Sequence, residues 1–532
     1  MEAADGSGAP PSLRPSGLTG VGWRELLTAT GLTAAEPASV DPILTGVTAD
    51  SRLVHPGDLY VAAPGATVHG VAFAAEAVRR GARAVLTDPS GRERAVGAVP
   101  AEVPVALAVD PRALVPALAD HVYHRPADRL RLFGITGTNG KTTTAYLLQS
   151  ALRAAGHHVG LIGTIGFQLD DRRLEARRTT VTTPEAAELH ALLAVMAEQG
   201  ADAVVMEVSS HALALGRTAG LRFAVAGFTN FGSDHLDFHG DVTSYFAAKA
   251  SLFTSARADR AVINVDDARG EELIQQARAE GLASVRSVSL DGAADYATLD
   301  RAAAGQGRTA VTASTPRGPV RFALGLPGEF NVRNALTALA MADLVGVDLE
   351  RAASGLADAL VPGRMQRVDL GAGAATVFVD FAHTPQAVSA VLAGLVGHRR
   401  IVVLGCGGDR DPEKRAPMGA AAAAAAELVV VTDDNPRSED PASIRAQVLA
   451  GAHAEAERSG RAVTVIDGGK RRDAIAAALA VADPDDIVAV LGKGHERGQE
   501  VAGRVLPFAD EDAIREVWAG LTARDPGTEV VR

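Results

Sequence analysis

The run from Gly134 to Thr143, GITGTNGKTT, holds the residue types that bind a polyphosphate. Glycines let the backbone turn tightly enough for several N–H groups to converge on phosphate oxygens where a helix begins. In such a loop Lys141 would reach the outer phosphates and the Thr142 hydroxyl would ligate Mg²⁺. The general signature has glycine where this chain has Ile135, so the loop points to ATP or GTP without naming the acceptor. A second group follows: Glu207 in EVSSHAL, His235 in DHLD, and Lys249 on a helical stretch soon after. A carboxylate, an imidazole and a lysine at successive strand or helix ends can converge on a metal beside the loop, because ligands of open parallel sheets gather at the carboxyl ends of strands. The plainer alternative makes Glu207 a helix cap, His235 a surface turn residue and Lys249 half of a surface ion pair.

Alternating strands and helices must position these groups. An apolar strand is expected over 130–136, with a helix over 142–155 after the loop. Further strands are expected over 159–163, 203–208, 224–230 and 261–265, separated by helices over 184–199, 244–255 and 271–280. This spacing predicts a mostly parallel sheet with right-handed crossovers. Ahead of it, strands over 58–62, 82–87 and 103–109 and a helix over 72–81 predict a small α/β domain. Behind it come a hairpin over 308–326, a helix over 332–345 and a break near Pro362. A third α/β block follows, with strands over 376–380, 400–405, 428–432, 462–466 and 487–491. The expected partition is a disordered tail over 1–18 and three α/β domains over 19–128, 129–361 and 362–532.

The 532 residues are 47% apolar but only 4% aromatic, and the chain is too long for one core. Small apolar side chains suit helices packed on buried parallel strands. A net charge of −12 argues against a nucleic-acid backbone as the main partner, while leaving local phosphate sites open. The single Cys406 excludes an internal disulfide or a cysteine metal cluster, and it is expected to be a packed small residue. Residues 1–16 lack the basic start and apolar stretch of a secretory signal. The alanine run 420–426 is expected as a helix, and its apolar surroundings are too short to span a bilayer. A cytoplasmic protein is expected.

Taken in order, ITGTNGKTTT, TTP at Thr182 to Pro184, EVSSHAL, NFGSDHLDFHG and YFAAKASLF resemble the Mur ligases. These enzymes join amino acids to the muramoyl peptide of peptidoglycan precursors. Asp50-Ser51-Arg52, Gly363-Arg364-Met365, the DFAH ending at His383 and the GCGGDR ending at Arg410 fit the same pattern. So do Asp434-Asn435-Pro436-Arg437 and the GKGHE ending at Glu496. The resemblance implies a small N-terminal α/β domain for the UDP-muramoyl substrate, a central P-loop ATPase-like domain with a mostly parallel sheet, and a C-terminal Rossmann-like domain for the amino acid. It makes the short loop with Ile135 a family variant. It also implies that ATP turns a substrate carboxylate into an acyl phosphate, which the incoming amine attacks.

Carried over residue by residue, the resemblance assigns ATP to Gly137, Thr138, Asn139, Gly140, Lys141, Thr142 and Thr143, with Asn334, Arg364 and Asp380. Thr142, Glu207, His235 and Lys249 take the Mg²⁺ positions, Lys249 as a CO₂-derived carbamate (N6-carboxylysine). Lys141, Glu207, His235 and Lys249 form the implied catalytic set. Ser51, Thr182, Thr183, Ser209 and Arg217 match contacts to the UDP-sugar peptide, although Thr182 and Thr183 would also serve as an N-cap for the next helix. Val181 and Leu215 stand where relatives can carry Asn and Gln.

Diaminopimelate differs from lysine by a distal carboxylate, so its site needs an added cation. Asp434-Asn435-Pro436-Arg437 looks like the recognition motif of the diaminopimelate-adding branch. Arg437 and Arg410 supply planar guanidinium groups suited to paired hydrogen bonds. Gly492 and Glu496 match positions at the amino-acid end. The implied substrates are ATP, diaminopimelate and UDP-N-acetylmuramoyl-L-alanyl-D-glutamate. Competing readings are a lysine-adding relative, a folylpolyglutamate synthetase-like ligase, and a non-catalytic nucleotide-dependent scaffold, which would be expected to lack Lys141, Glu207 or Lys249.

Overall fold

Runs of Val, Ile and Leu without alternation form strands buried on both faces. The computed structural model describes residues 13–36, 40–175, 182–232, 234–304, 308–395 and 399–524. Its contacts divide the chain into two units, Met1–Asp300 with Thr312–Phe322 and Arg333–Leu356, and Arg301–Val311 with Ala323–Val332 and Ala357–Arg532.

In the first unit a small sheet sets Thr33–Ala34, Val105–Leu107, Ala84–Thr87, Asp58–Ala62 and Gly46–Thr48 side by side. A larger sheet sets Val159–Gly163, Ala203–Glu207, Arg131–Thr136, Val225–Phe228, Arg260–Asn264 and Ser284–Ser289 in parallel. Its register pairs Ile135 with Glu207 and Thr136 with Phe228, so these carboxyl ends finish level around the phosphate loop. An antiparallel hairpin, Gly166–Leu169 with Arg172–Leu174, extends its edge and was not among the expected elements.

The helix Ala186–Glu198 is apolar on most sides because it serves two cores. Leu189, Leu192, Leu193 and Met196 pack with the larger sheet, while Ala186, Ala191 and Ala194 join Trp23, Leu59 and Leu118. The two sheets therefore share one packed unit.

Of the disordered tail expected over 1–18, the described residues 13–18 are instead held by contacts. Arg14 is tied to Asp58 by a 2.9 Å ion pair and donates to the Tyr123 hydroxyl, and the Ser16 and Gly17 amides donate to the Glu198 carboxylate. A charge pair sheltered from water and a carboxylate collecting N–H donors hold a segment that its polar composition gave no reason to order. Residues 1–12 lie outside the described residues.

The second unit holds a six-stranded sheet in the order Gln366–Val368, Thr376–Asp380, Ile487–Leu491, Arg400–Leu404, Leu428–Thr432 and Thr464–Gly469, with only the first strand antiparallel. The alanine run forms the helix Arg415–Ala425. It packs against Pro441–Ser459, a long helix whose weak apolar pattern left it unexpected. A Cβ on Gly419 would lie 2.0 Å from Val448 O, and one on Gly451 1.9 Å from Ala416 O, so the small residues permit backbone contact. A hairpin, Gly498–Val501 with Arg504–Pro507, follows the last central strand. Among the described residues no helix is long and apolar enough to cross a membrane.

Candidate active site

The loop after Arg131–Thr136 is held by its neighbour strand. Thr138 N donates to Asn230 O at 2.9 Å, Asn139 N to Asn230 Oδ1 at 2.9 Å, and Thr229 Oγ1 to Asn139 O at 2.6 Å. Gly137 has φ +151°, and a Cβ there would fall 1.9 Å from Thr229 Oγ1. Only glycine allows this turn. The helix Lys141–Ala154 then starts at the loop, one residue earlier than expected, with Thr142 and Thr143 buried in its first turn. Lys141 Nζ donates to the carbonyls of Gly137 and Thr138 at 2.8 and 2.9 Å. Asn334 lies against the same turn, its Oδ1 being 2.7 Å from where a Gly140 Cβ would stand.

Glu207 is buried at its strand end and is not a helix cap. Its Oε2 accepts from Thr142 Oγ1 at 2.9 Å and Thr164 Oγ1 at 3.0 Å, and its Oε1 from Thr164 N at 2.8 Å. Thr164 Oγ1 also lies 3.1 Å from Thr182 Oγ1, within hydrogen-bond distance. It was missed in the sequence, where its one signal is its place directly after an apolar strand.

Lys249 is no surface ion pair: it is 1% exposed, Nζ donates to Gly137 O at 2.8 Å, and it lies 4.5 Å from the Tyr245 ring centroid. Burial, reinforced by the charge of Lys141, pushes its pKa well below the ordinary lysine range. His235 stands farther out, half exposed and with φ 53°, its ring 4.7 Å from His211 and 6.1 Å from Tyr245. Burial lowers its pKa, Asp234 opposes that, and Lys141 and Lys249 reinforce it.

Among the described residues no three His, Cys, Asp or Glu form a metal cage. The hydroxyl of Thr142 and the carboxylate of Glu207, already 2.9 Å apart, suit a hard, oxygen-preferring cation that completes its shell with phosphate oxygens and water. An ammonium at Lys249 would oppose such a cation, and a carbamate there would favour it.

The residues expected at the UDP-sugar peptide cluster at the next strand ends. Thr183 Oγ1 donates to Glu207 O at 2.9 Å and accepts from Ser209 N at 3.1 Å, while Arg217 Nη1 donates to Thr183 O at 3.1 Å. Arg217 also pairs with Glu185 at 2.6 Å. The capping role open to Thr182 and Thr183 is not taken: Glu185 occupies the N-cap without a side-chain bond. Ser209 caps its own short helix through Ala212 N at 3.1 Å. Ser51 lies apart in the turn Ser51–Leu53, in the smaller sheet's region. Leu215 is exposed, and Val181 lies outside the described residues.

The second unit brings together most of the residues expected to bind the amino acid. Asn435 Nδ2 donates to Glu496 Oε2 at 2.9 Å, and Asn435 Oδ1 accepts from Glu500 N at 2.9 Å. Gly492 has φ +111°, and a Cβ on it would lie 2.7 Å from Asp434 Oδ2. Burial raises the Asp434 pKa against the pull of Arg471 and Lys493. Pro436 is buried, and Arg437 follows with φ 52°. Arg437 Nη1 donates to Gly408 O at 2.6 Å and Nε lies 3.2 Å from Glu500 Oε2. Arg410 sits exposed on the loop after Arg400–Leu404 and is not drawn into this cluster by any described contact.

Arg364 and Asp380 belong to this unit also. Arg364 packs 4.4 Å above the Phe381 ring centroid, and Asp380 accepts from Met365 N and Ala382 N at 2.7 and 2.8 Å. Burial raises the Asp380 pKa and Arg364 opposes it. Cys406 is buried, 3.4 Å from Met418 Sδ, as a packed small residue should be.

Residues 43–123 match the Mur ligase family, catalytic domain; 135–342 the Mur ligase middle domain; and 363–494 the Mur ligase, glutamate ligase domain. A Streptomyces coelicolor protein named UDP-N-acetylmuramoyl-L-alanyl-D-glutamate--2,6-diaminopimelate ligase is 45% identical over 517 residues, covering 95% of this chain and 98% of its own. A solved structure of a ligase with that name superposes with a TM-score of 0.68 at 30% identity, over 96% of this chain and 100% of the other. The Mycobacterium tuberculosis folylpolyglutamate synthase shares the fold, with a TM-score of 0.57 at 23% identity over 71% of this chain and 92% of its own.

Proposed function

This chain belongs to the Mur ligase family, and on that premise we propose that it adds diaminopimelate to UDP-N-acetylmuramoyl-L-alanyl-D-glutamate at the expense of ATP. The observation that carries the reading is the Thr142–Glu207 contact beside the loop, with buried Lys249 bonded to the Gly137 carbonyl. A carboxylate is a poor electrophile at neutral pH, and two anionic reactants repel each other. The loop amides and Lys141 would hold the transferring phosphate, and Thr142, Glu207, His235 and a modified Lys249 would hold Mg²⁺, which would neutralise charge between the reactants.

Phosphoryl transfer from ATP to the glutamate carboxylate forms an acyl phosphate and releases ADP. The uncharged amine of diaminopimelate attacks the acyl carbon, the C–N bond forms, and phosphate leaves as the nitrogen loses its proton. Asn334, Arg364 and Asp380 contact the nucleotide. Ser51, Thr182, Ser209 and Arg217 contact the UDP-sugar peptide; Thr183, whose hydroxyl is buried, does so through the loop it shapes. Asp434 to Arg437, Gly492 and Glu496 hold diaminopimelate, Arg437 facing its distal carboxylate, with Arg410 reaching in from its exposed loop. Regions 19–128, 129–361 and 362–532 serve UDP substrate, ATP and amino acid in turn, in a cytoplasmic setting where ATP is available.

Lys249 is suited to carbamylation because burial lowers its pKa and so favours the neutral amine. That nitrogen bonds the carbon of CO₂ and gives up a proton, replacing a cation by an anion.

The test is phosphate release with the UDP-linked dipeptide and ATP. Diaminopimelate should support turnover, and lysine, or folate with glutamate, should not. Equal turnover with lysine would overturn the amino-acid assignment.

A further inference from the structure

Lys493 has no part in the readings above, yet its side chain is fully buried. A buried ammonium stays charged only where acceptors surround it. Nζ donates to Gly498 O at 2.6 Å, Glu496 Oε2 at 3.0 Å and Asn435 Oδ1 at 3.3 Å, and lies 3.8 Å from Asp434 Oδ1. These acceptors come from the loop after Leu428–Thr432, the loop after Ile487–Leu491, and the hairpin that follows. Because Asn435 Oδ1 accepts from both Lys493 and Glu500 N, the amide can face only one way, with Nδ2 toward Glu496. One ammonium therefore fixes an amide and a carboxylate together.

The charge balance adds a second argument. Arg471 is committed to Asp510 through two hydrogen bonds of 2.6 and 2.7 Å. Lys493 is the cation bonded to Glu496 and, after Arg471, the second that acts on Asp434, with His495 a weaker influence on Glu496 and Arg437 paired to Glu500. Three carboxylates (Asp434, Glu496, Asp510) face two cations (Arg471, Lys493), so the ionised cluster is one positive charge short. Asp434 Oδ1 is buried without a hydrogen-bond partner. Burial alone would raise the Glu496 pKa; Lys493 and the Asn435 amide outweigh it and hold the carboxyl below its ordinary range. A cluster short of one positive charge suits the ammonium end of an amino acid.

Resting on the function proposed above, we propose that Lys493 is the positioning residue of the amino-acid site, orienting Asn435 and Glu496 to receive diaminopimelate without touching the reacting atoms. Without it, buried Asp434 and half-buried Glu496 share the site and one takes a proton, because like charges raise each other's affinity for it.

Lys493→Met should raise the KM for diaminopimelate by about tenfold or more, the size expected when a charge-assisted contact is lost, with the KM for ATP and for the UDP-linked dipeptide within about twofold. The penalty should shrink as the pH is raised and the shared proton leaves, whereas a purely structural role would give a pH-independent loss. An unchanged KM for diaminopimelate, or a parallel rise in all three constants, would overturn the proposal. Should Lys493→Met not fold, Lys493→Met with Glu496→Gln removes the uncompensated charge. Its KM for diaminopimelate should exceed that of Glu496→Gln alone by no more than about fivefold, because only the lysine's route through Asn435 then remains. A larger added rise, or failure of both variants to fold, would assign Lys493 to the fold alone. Wild-type protein that does not use diaminopimelate would instead sink the function proposed above.

Discussion

The phosphate loop and the amino-acid cluster both sit at the carboxyl ends of parallel strands, yet they are built differently. The loop is largely backbone: its turn at Gly137, its amides and the start of Lys141–Ala154 form one stretch of chain, with Glu207 and Lys249 added from neighbours. The amino-acid cluster is largely side chains from three segments, joined through Asn435, Glu496 and Lys493. Backbone sites tolerate little change in the loop itself, whereas side-chain networks divide their work among members. Disrupting the loop should therefore abolish turnover, and disrupting the cluster should weaken one substrate.

The largest effect should follow Lys141→Ala. Removing the cation that meets the transferring phosphate should lower kcat/KM by about a thousandfold or more in the phosphate-release assay. An undiminished rate would break the comparison at its first member, because no cationic cradle would then be needed. Lys249→Met should come next, with kcat down by roughly a hundredfold, since the variant keeps the side chain's bulk but cannot carry a carbamate. Intact-mass or carbon-13 measurement of wild-type protein in bicarbonate should detect the added carboxyl group, and its absence there would remove the electrostatic reason for burying this lysine.

The same contrast explains what could be read from the sequence. A site made of consecutive backbone shows as a string, so GTNGKT and its strand and helix were visible to within a residue or two. Strands buried on both faces were equally plain: 376–380, 428–432 and 487–491 form as expected. The long helix Pro441–Ser459 was hidden because Ala and Gly against another alanine-rich helix leave little apolar contrast. Thr164 and Lys493 were hidden for another reason. Their roles depend on partners 43 and 58 residues away, which local spacing does not encode. The anchoring of Arg14 to Asp58 across 44 residues belongs with them.

A middle-sized effect tests the second member. Arg437 meets Gly408 O through Nη1 and Glu500 through Nε. Arg437→Ala should raise the KM for diaminopimelate by roughly ten- to hundredfold, as expected for loss of a charge-assisted pair, and leave the KM for ATP near its wild-type value. If the two constants rose together, the cluster would be part of the common machinery and the division of labour would fail.

Cys406 should give the smallest effect and so marks the limit of the comparison. It lies just beyond the strand Arg400–Leu404, at a carboxyl end like the functional groups, but burial pushes its thiol pKa up to about 12. At about pH 8 the nucleophilic thiolate is therefore scarce, and access is closed by packing against Met418. Iodoacetamide should leave activity intact over the time in which an exposed thiol reacts completely, and Cys406→Ala should cost about 1 kcal/mol of stability with no change in any KM. Position at a strand end supplies reach to a ligand, and only a polar group held by hydrogen bonds converts that reach into chemistry. Rapid inactivation by iodoacetamide, prevented by diaminopimelate, would show that this thiol lines the amino-acid site after all.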